Sequence, residues 1–302
     1  MMTASGRPVT ILDGGMGQEL IARSGDPPSP LWSTQVMIDH PGLVAQVHAD
    51  YFAAGAEVAT TNTYAVHRDR LRAAGIEHRF ADLHAQALTE ARAAREAHGS
   101  GRIAGSIGPL VASYRPEVHP DAGTAVPLYA EVAGLLGPGV DLILCETVAS
   151  IAHADAVLAG AQAARRPVWL AVTVGDTNGA RLRSGEAVAD LRPVLRGRAA
   201  AVLANCSAPE AMAAALAALA PLGLPFGAYA NGFKRITEDF LKDRPTVDAL
   251  EARPDMTPAL YARHARAWAA QGATIIGGCC ETTPAHIAAV VQAMREEAEP
   301  RS

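Results

Sequence analysis

The chain has 302 residues, 49% of them hydrophobic and 19% charged, and carries a formal net charge of −5 at pH 7. That is enough apolar material for one barrel-sized core, and the acidic balance excludes the basic footprint expected of a protein that grips nucleic acid or an anionic membrane. Small-molecule chemistry is the remaining default. The opening residues, MMTASGRPVT, lack the apolar stretch of a secretory signal, and the apolar runs are strand-length rather than the ~20 residues of a membrane span. A cytoplasmic location without membrane contact is therefore expected. Four cysteines are too few for a disulfide scaffold, and two of them, Cys279 and Cys280, are adjacent, which asks for a chemical reason.

In chain order, short β-branched runs alternate with longer alanine-rich helical stretches, the pattern of repeated βα units. The runs are Val9–Asp13, Glu57–Thr61, Ile103–Ile107, Leu142–Glu146, Val168–Val174, Ala201–Asn205, Phe226–Ala230 and Thr274–Gly277. That count of parallel strands predicts a (β/α)8 TIM barrel, with residues 1–302 as a single domain. Asp39-His40-Pro41 predicts a helix start, followed by apolar Leu43, Val47 and Tyr51 at helical spacing and a glycine stop at Gly55. Thr283-Pro284 opens a last helix with Ile287, Val290, Val291 and Met294 on one face, and the charged tail 295–302 is expected to fray. Two connections exceed what a barrel needs, Pro109 to Val126 and Gly232 to Pro258. Both follow strand ends and read either as binding loops or as carriers of small surface helices such as Thr246–Ala252.

Barrel active sites are assembled at the C-terminal tips of the strands. Here those tips carry Asp13-Gly14-Gly15, Thr60-Thr61-Asn62-Thr63, Ser106, Glu146-Thr147, Asn205-Cys206-Ser207, Tyr229 and Asn231, and Gly277-Gly278-Cys279-Cys280. The sixth and eighth strands are separated by one strand, so Cys206, Cys279 and Cys280 can aim at one point near the barrel axis. Three thiolates with a vacant fourth position describe an open zinc site, able to deprotonate a thiol substrate and leave its sulfur nucleophilic. Three incidental core cysteines is the competing reading, and it does not explain the vicinal pair. Asp13 and Glu146 could take a substrate ammonium, and the Gly14-Gly15 turn could offer backbone N–H groups to its carboxylate. Thr61 is a further substrate candidate, against an ordinary polar strand exit. Cys145 lies inside an apolar run and is expected to point into packing. The ten histidines are scattered, without a metal-binding spacing.

The segments ILDGGMGQEL (11–20), HPGLVAQVHADYFAAGAEVATTNTY (40–64), GSIGP (105–109), NCS (205–207) and IIGGCCETTPAHI (275–287) resemble the homocysteine S-methyltransferase family. The resemblance spans nearly the whole chain. It implies a (β/α)8 barrel, zinc held by Cys206, Cys279 and Cys280, and homocysteine bound by Asp13, Gly14, Gly15, Glu146 and Asn205. The implied reaction is methyl transfer to homocysteine, giving methionine, with S-methylmethionine or S-adenosylmethionine as donor. After the seventh strand, however, Tyr229-Ala230-Asn231-Gly232-Phe233 replaces the Tyr-Pro-Asn-Ser-Gly-Glu of sulfonium-using relatives, and Ser113–Gly123 lacks their Asp-Gly-Ser-Glu-Tyr. Betaine, or a corrinoid methyl delivered by a separate carrier protein, thus stays open as a donor. So does the reading of the chain as a homocysteine-binding subunit inactive alone. A thiol-redox role for Cys279-Cys280 is disfavoured by the absence of Cys-x-x-Cys spacing.

Overall fold

The computed structural model describes residues 8–27, 29–233 and 252–298. Its strands are β1 (Thr10–Ile11), β2 (Val58–Thr60), β3 (Arg102–Ile107), β4 (Leu142–Val148), β5 (Val168–Val172), β6 (Ala201–Asn205), β7 (Phe226–Ala230) and β8 (Ile275–Gly278). Every sequence-predicted strand is present. Each pairs in parallel with its neighbours in the order β1-β8-β7-β6-β5-β4-β3-β2, and a parallel bridge from Leu12 to Val58 joins the two ends of that order. The ring is a (β/α)8 barrel.

The outer layer is built from α1 (Met16–Ser24), α2 (Ser33–Asp39), α3 (Leu43–Ala53), α4 (Arg68–Ala73), α5 (Phe80–His98), α6 (Ala122–Leu136), α7 (Ile151–Ala161), α8 (Arg192–Leu195), α9 (Met212–Leu219), α10 (Pro258–Ala270) and α11 (Pro284–Ala298). In α3 the i, i+3, i+4 pattern puts Val44, Val47 and Tyr51 against the barrel, all fully buried, each worth roughly 1.5–3 kcal/mol of apolar transfer. Its start differs from the expectation. Asp39 ends α2, and α3 begins after Gly42, whose φ of 90° makes the corner between the two helices. Of the tail expected to fray, 295–298 are helical in α11 and 299–302 lie outside the described residues.

Alternation along the strands sorts the core into two shells. Leu12, Val58, Leu142, Leu144, Leu203 and Ile275 fill the barrel interior, while Ile11, Ile143, Val168, Leu170, Val202 and Ile276 face the helices. Cys145 belongs to the outer shell and is fully buried there, as its apolar surroundings in the sequence predict. The first long connection is ordered around a short helical turn at Pro116–Val118 and ends where α6 begins, capped by Asp121 accepting from Thr124 N–H. The second lies largely in 234–251, outside the described residues, and so does nearly all of the helix expected at Thr246–Ala252. Among the described residues no helix is long and apolar enough to cross a membrane.

Candidate metal centre and substrate cavity

Cys206 directly follows β6, and Cys279 and Cys280 follow β8. The strand between them anchors both turns: Cys206 N–H donates to Tyr229 O at 3.2 Å and Cys279 N–H to Ala230 O at 2.9 Å. The sulfurs of Cys206, Cys279 and Cys280 all lie within 4.8 Å of one another. Cys206 and Cys279 are joined as a disulfide and Cys280 is a free thiol, its sulfur 4.0 Å from that of Cys279. Sulfurs bound to one tetrahedral zinc at ~2.3 Å stand about 3.8 Å apart, so after reduction the cluster needs only a small adjustment to hold an ion. Among the described residues no histidine or carboxylate joins the cluster, and an all-sulfur set suits a borderline or soft metal. Burial pushes the Cys280 thiol up to about 11, against the opposing effect of a hydrogen bond with Gln18, so without a nearby cation this pocket disfavours thiolate.

The glycines around the cysteines are required by close approach. Gly14 and Gly15 keep negative-φ or extended backbone, and a Cβ on them would come within 2.6 Å of Thr282 O and 2.7 Å of Cys279 O respectively. The β1–α1 turn is thereby pressed onto the 279–282 turn, with Gly15 N–H donating to Thr282 O at 2.8 Å and Gly278 N–H to Asp13 O at 2.9 Å. One expectation narrows. The Gly15 N–H is spent inside the protein, whereas Gly14, and Met16, Gly17 and Gln18 in the first turn of α1, are cavity-lining residues whose N–H groups make no backbone hydrogen bond among the described residues. Gly277 and Gly278 are needed for packing on Leu12 and Thr282, and the left-handed residue of the turn that follows is Glu281, φ 62°.

An open cleft lies above the barrel at the strand tips. Cys206, Cys279 and Cys280 share its wall with Asp13, Gly14, Gly15, Thr61, Glu146, Tyr229 and the rings of Trp32, Tyr64 and Tyr114. Glu146 is 9% exposed, accepts from Tyr229 OH at 3.0 Å and from the Ser106 hydroxyl, and is raised from the usual carboxylate range by burial. Asp13, 3% exposed, accepts from Thr60 N–H at 2.6 Å and Thr60 Oγ1 at 2.8 Å. Burial, with a smaller contribution from Glu146, raises it to about 7. Neither carboxylate has a cationic partner, and no Lys, Arg or His lines the cavity among the described residues. Two acidic groups held this way favour the company of a cation.

A profile of the homocysteine S-methyltransferase family matches residues 10–294. The chain belongs to the homocysteine S-methyltransferase family. It is 32% identical to the homocysteine S-methyltransferase of Escherichia coli K12, over 93% of this chain and 94% of that one, and 28% identical to homocysteine S-methyltransferase 4 of maize, over 95% and 89%. Its fold superposes with a TM-score of 0.77 on the metallated form of the E. coli homocysteine methyltransferase MmuM, at 29% identity and over 95% of this chain and 96% of that one.

Of the candidate residues for this family's chemistry, all three cysteines, Asp13, Gly14, Gly15, Glu146 and Thr61 line the cavity. Thr61 keeps its hydroxyl on Thr63 Oγ1 at 2.8 Å and accepts Ser106 N–H at 3.0 Å. Asn205 stands behind the wall, its carboxamide bonded to Thr147 rather than turned to the cavity. Cavity-lining residues that the sequence reading did not single out include Trp32, Tyr114 and Gln18. Tyr114 comes from the first long connection and packs with Cys206 and Phe233, so the loop position was the available signal.

Proposed function

We propose that the protein is a zinc-dependent methyltransferase that moves a methyl group from a sulfonium donor, S-methylmethionine or S-adenosylmethionine, to the sulfur of L-homocysteine, giving methionine. The observation that carries this reading is the placing of a three-cysteine cluster and two uncompensated buried carboxylates in one cavity. Cys206, Cys279 and Cys280 would hold the zinc, and the ion would supply Lewis-acid activation of the acceptor thiol at neutral pH. The cysteines must be reduced to hold it, in keeping with a cytoplasmic setting.

The chain's own residues bind and orient the two reactants. Asp13 and Glu146 take the acceptor's ammonium, and the first turn of α1 takes its carboxylate, so the side chain is directed at the cysteines. Trp32, Tyr64 and Tyr114 line the donor side of the cavity, with the Arg70 guanidinium over the Trp32 and Tyr64 rings and that of Arg183 over the Tyr114 ring. In the transfer the acceptor sulfur's electron pair forms the new S–CH3 bond as the donor's bond breaks. The donor leaves neutral, and the thiol proton departs to solvent. Catalysis by these residues is chiefly positioning.

The test is methionine formation by the reduced, zinc-loaded protein from homocysteine with S-methylmethionine, S-adenosylmethionine, betaine and methylcobalamin supplied separately. Turnover with a sulfonium compound is expected. Turnover only with betaine or methylcobalamin would overturn the donor assignment, and homocysteine binding without turnover on any donor would make the chain a binding subunit for a separate corrinoid carrier.

A further inference from the structure

Two residues beside the functional groups hold an unusual backbone. Thr147, next to Glu146, has φ 57°, and Cys206, next to Asn205, has φ 45°, both in the left-handed region that non-glycine residues seldom occupy. The pairing of β4 with β5 is irregular between Cys145 and Val148, so the Thr147 N–H is released from the ladder. It is taken up from across the barrel mouth. β5 separates β4 from β6, yet the Asn205 carboxamide spans it: Oδ1 accepts from Thr147 N–H and Nδ2 donates to Thr147 Oγ1, each at 3.1 Å. Both residues are fully buried. The Tyr64 phenol, on the same cavity lining as Thr147, is bonded to Ser113 Oγ at 2.7 Å.

The geometry points to Asn205 as a positioning residue that sets the separation between the Glu146 carboxylate and the Cys206 sulfur, and so measures the acceptor from its ammonium to its sulfur. This rests on the reading of Glu146 as the ammonium site and Cys206 as a metal ligand. A planar carboxamide with a donor and an acceptor, both engaged on one residue, ties Thr147 in position and angle, whereas one hydrogen bond would leave a hinge. Because each end of the clamp is covalently next to a functional group, ordering at one end is felt at the other. Amino-acid binding at Glu146 and metal binding at Cys206 are then coupled, by the same factor in both directions.

The experiment separates this coupling from turnover. Zinc affinity of the reduced protein is measured by chelator competition with and without L-2-aminobutyrate, which carries the amino-acid group but no sulfur. Free aminobutyrate can only draw zinc away, so a gain in affinity must come from the protein. The wild type is expected to gain severalfold. Thr147→Ser, which keeps both bonds, retains the gain. Asn205→Ala and the near-isosteric Thr147→Val lose it and raise KM for homocysteine about tenfold, with the donor KM unchanged. A purely structural role would lower the melting temperature and the active fraction but leave the coupling and KM of the folded fraction as they are. Folded variants with wild-type coupling and KM, or a wild type that binds zinc and aminobutyrate independently, overturn the clamp. A wild type that binds neither overturns the site reading beneath it.

Discussion

Tyr229 donates its phenol proton to Glu146 Oε1 at 3.0 Å, on a carboxylate whose other oxygen is held by Ser106. Two neutral donors hold a buried carboxylate that has no cationic partner among the described residues, and the proposed function places the acceptor's ammonium there. Glu146→Gln keeps the shape and removes the charge, and a lost charge-assisted hydrogen bond predicts KM for homocysteine roughly 10–100-fold higher with a smaller change in kcat. Tyr229→Phe, which removes one of the two props, should raise the same KM by about fivefold. Steady-state kinetics at saturating donor check both, and an unchanged KM in Glu146→Gln would remove that residue from the ammonium site.

Asp13 gives the acceptor dependence a pH signature. In the free protein its carboxyl is raised to about 7, mainly by burial, so it takes up a proton as pH falls through that value. The ammonium needs the ionised form, hence kcat/KM for homocysteine should drop by about tenfold per pH unit below 7. A bound ammonium favours ionisation and lowers that pKa, so kcat at saturating homocysteine should decline only at more acid pH. Asp13→Asn should erase the inflection. A kcat/KM profile flat from pH 8 to pH 5.5 would show that Asp13 does not face the ammonium.

Gly14 has no room for a side chain. A Cβ there would stand 2.6 Å from Thr282 O and 2.8 Å from the Tyr51 ring, whose hydroxyl itself donates to Thr282 O at 2.8 Å. Gly14→Ala must push the 279–282 turn, which carries two of the three cysteines, and should cost about 1–3 kcal/mol of stability and weaken metal retention together. Thermal melts and metal content of the purified variant check this. A variant with wild-type melting temperature and full metal would show that the turn can give way freely.

What the sequence disclosed and what it hid follow from the reach of the signals. Strand existence and the cysteine convergence depend only on period and on which residues sit at strand ends, so the barrel and the positions of Cys206, Cys279 and Cys280 were legible before any coordinates. The start of α3 was misplaced because Asp39, a residue type favoured at helix N-caps, here closes the preceding helix, and the corner is made by Gly42. The Gly14-Gly15 turn was read only as a source of backbone N–H groups, whereas both residues are small because a second chain segment touches them, a tertiary fact without a local signature. Asn205 was read as a substrate residue for the same reason: only the curl of β4 and β6 onto one mouth, with an irregular pairing at Thr147, shows that its carboxamide is already engaged.

The central claim is that Cys206, Cys279 and Cys280 together hold one zinc ion that the reaction needs. The direct measurement is zinc per chain, by elemental analysis, of protein purified under reducing conditions, for the wild type and for Cys206→Ser, Cys279→Ser and Cys280→Ser. One equivalent in the wild type, strongly reduced occupancy in each variant, and activity that tracks occupancy are predicted. A fully reduced, folded wild type that binds no zinc yet still methylates homocysteine would contradict the account.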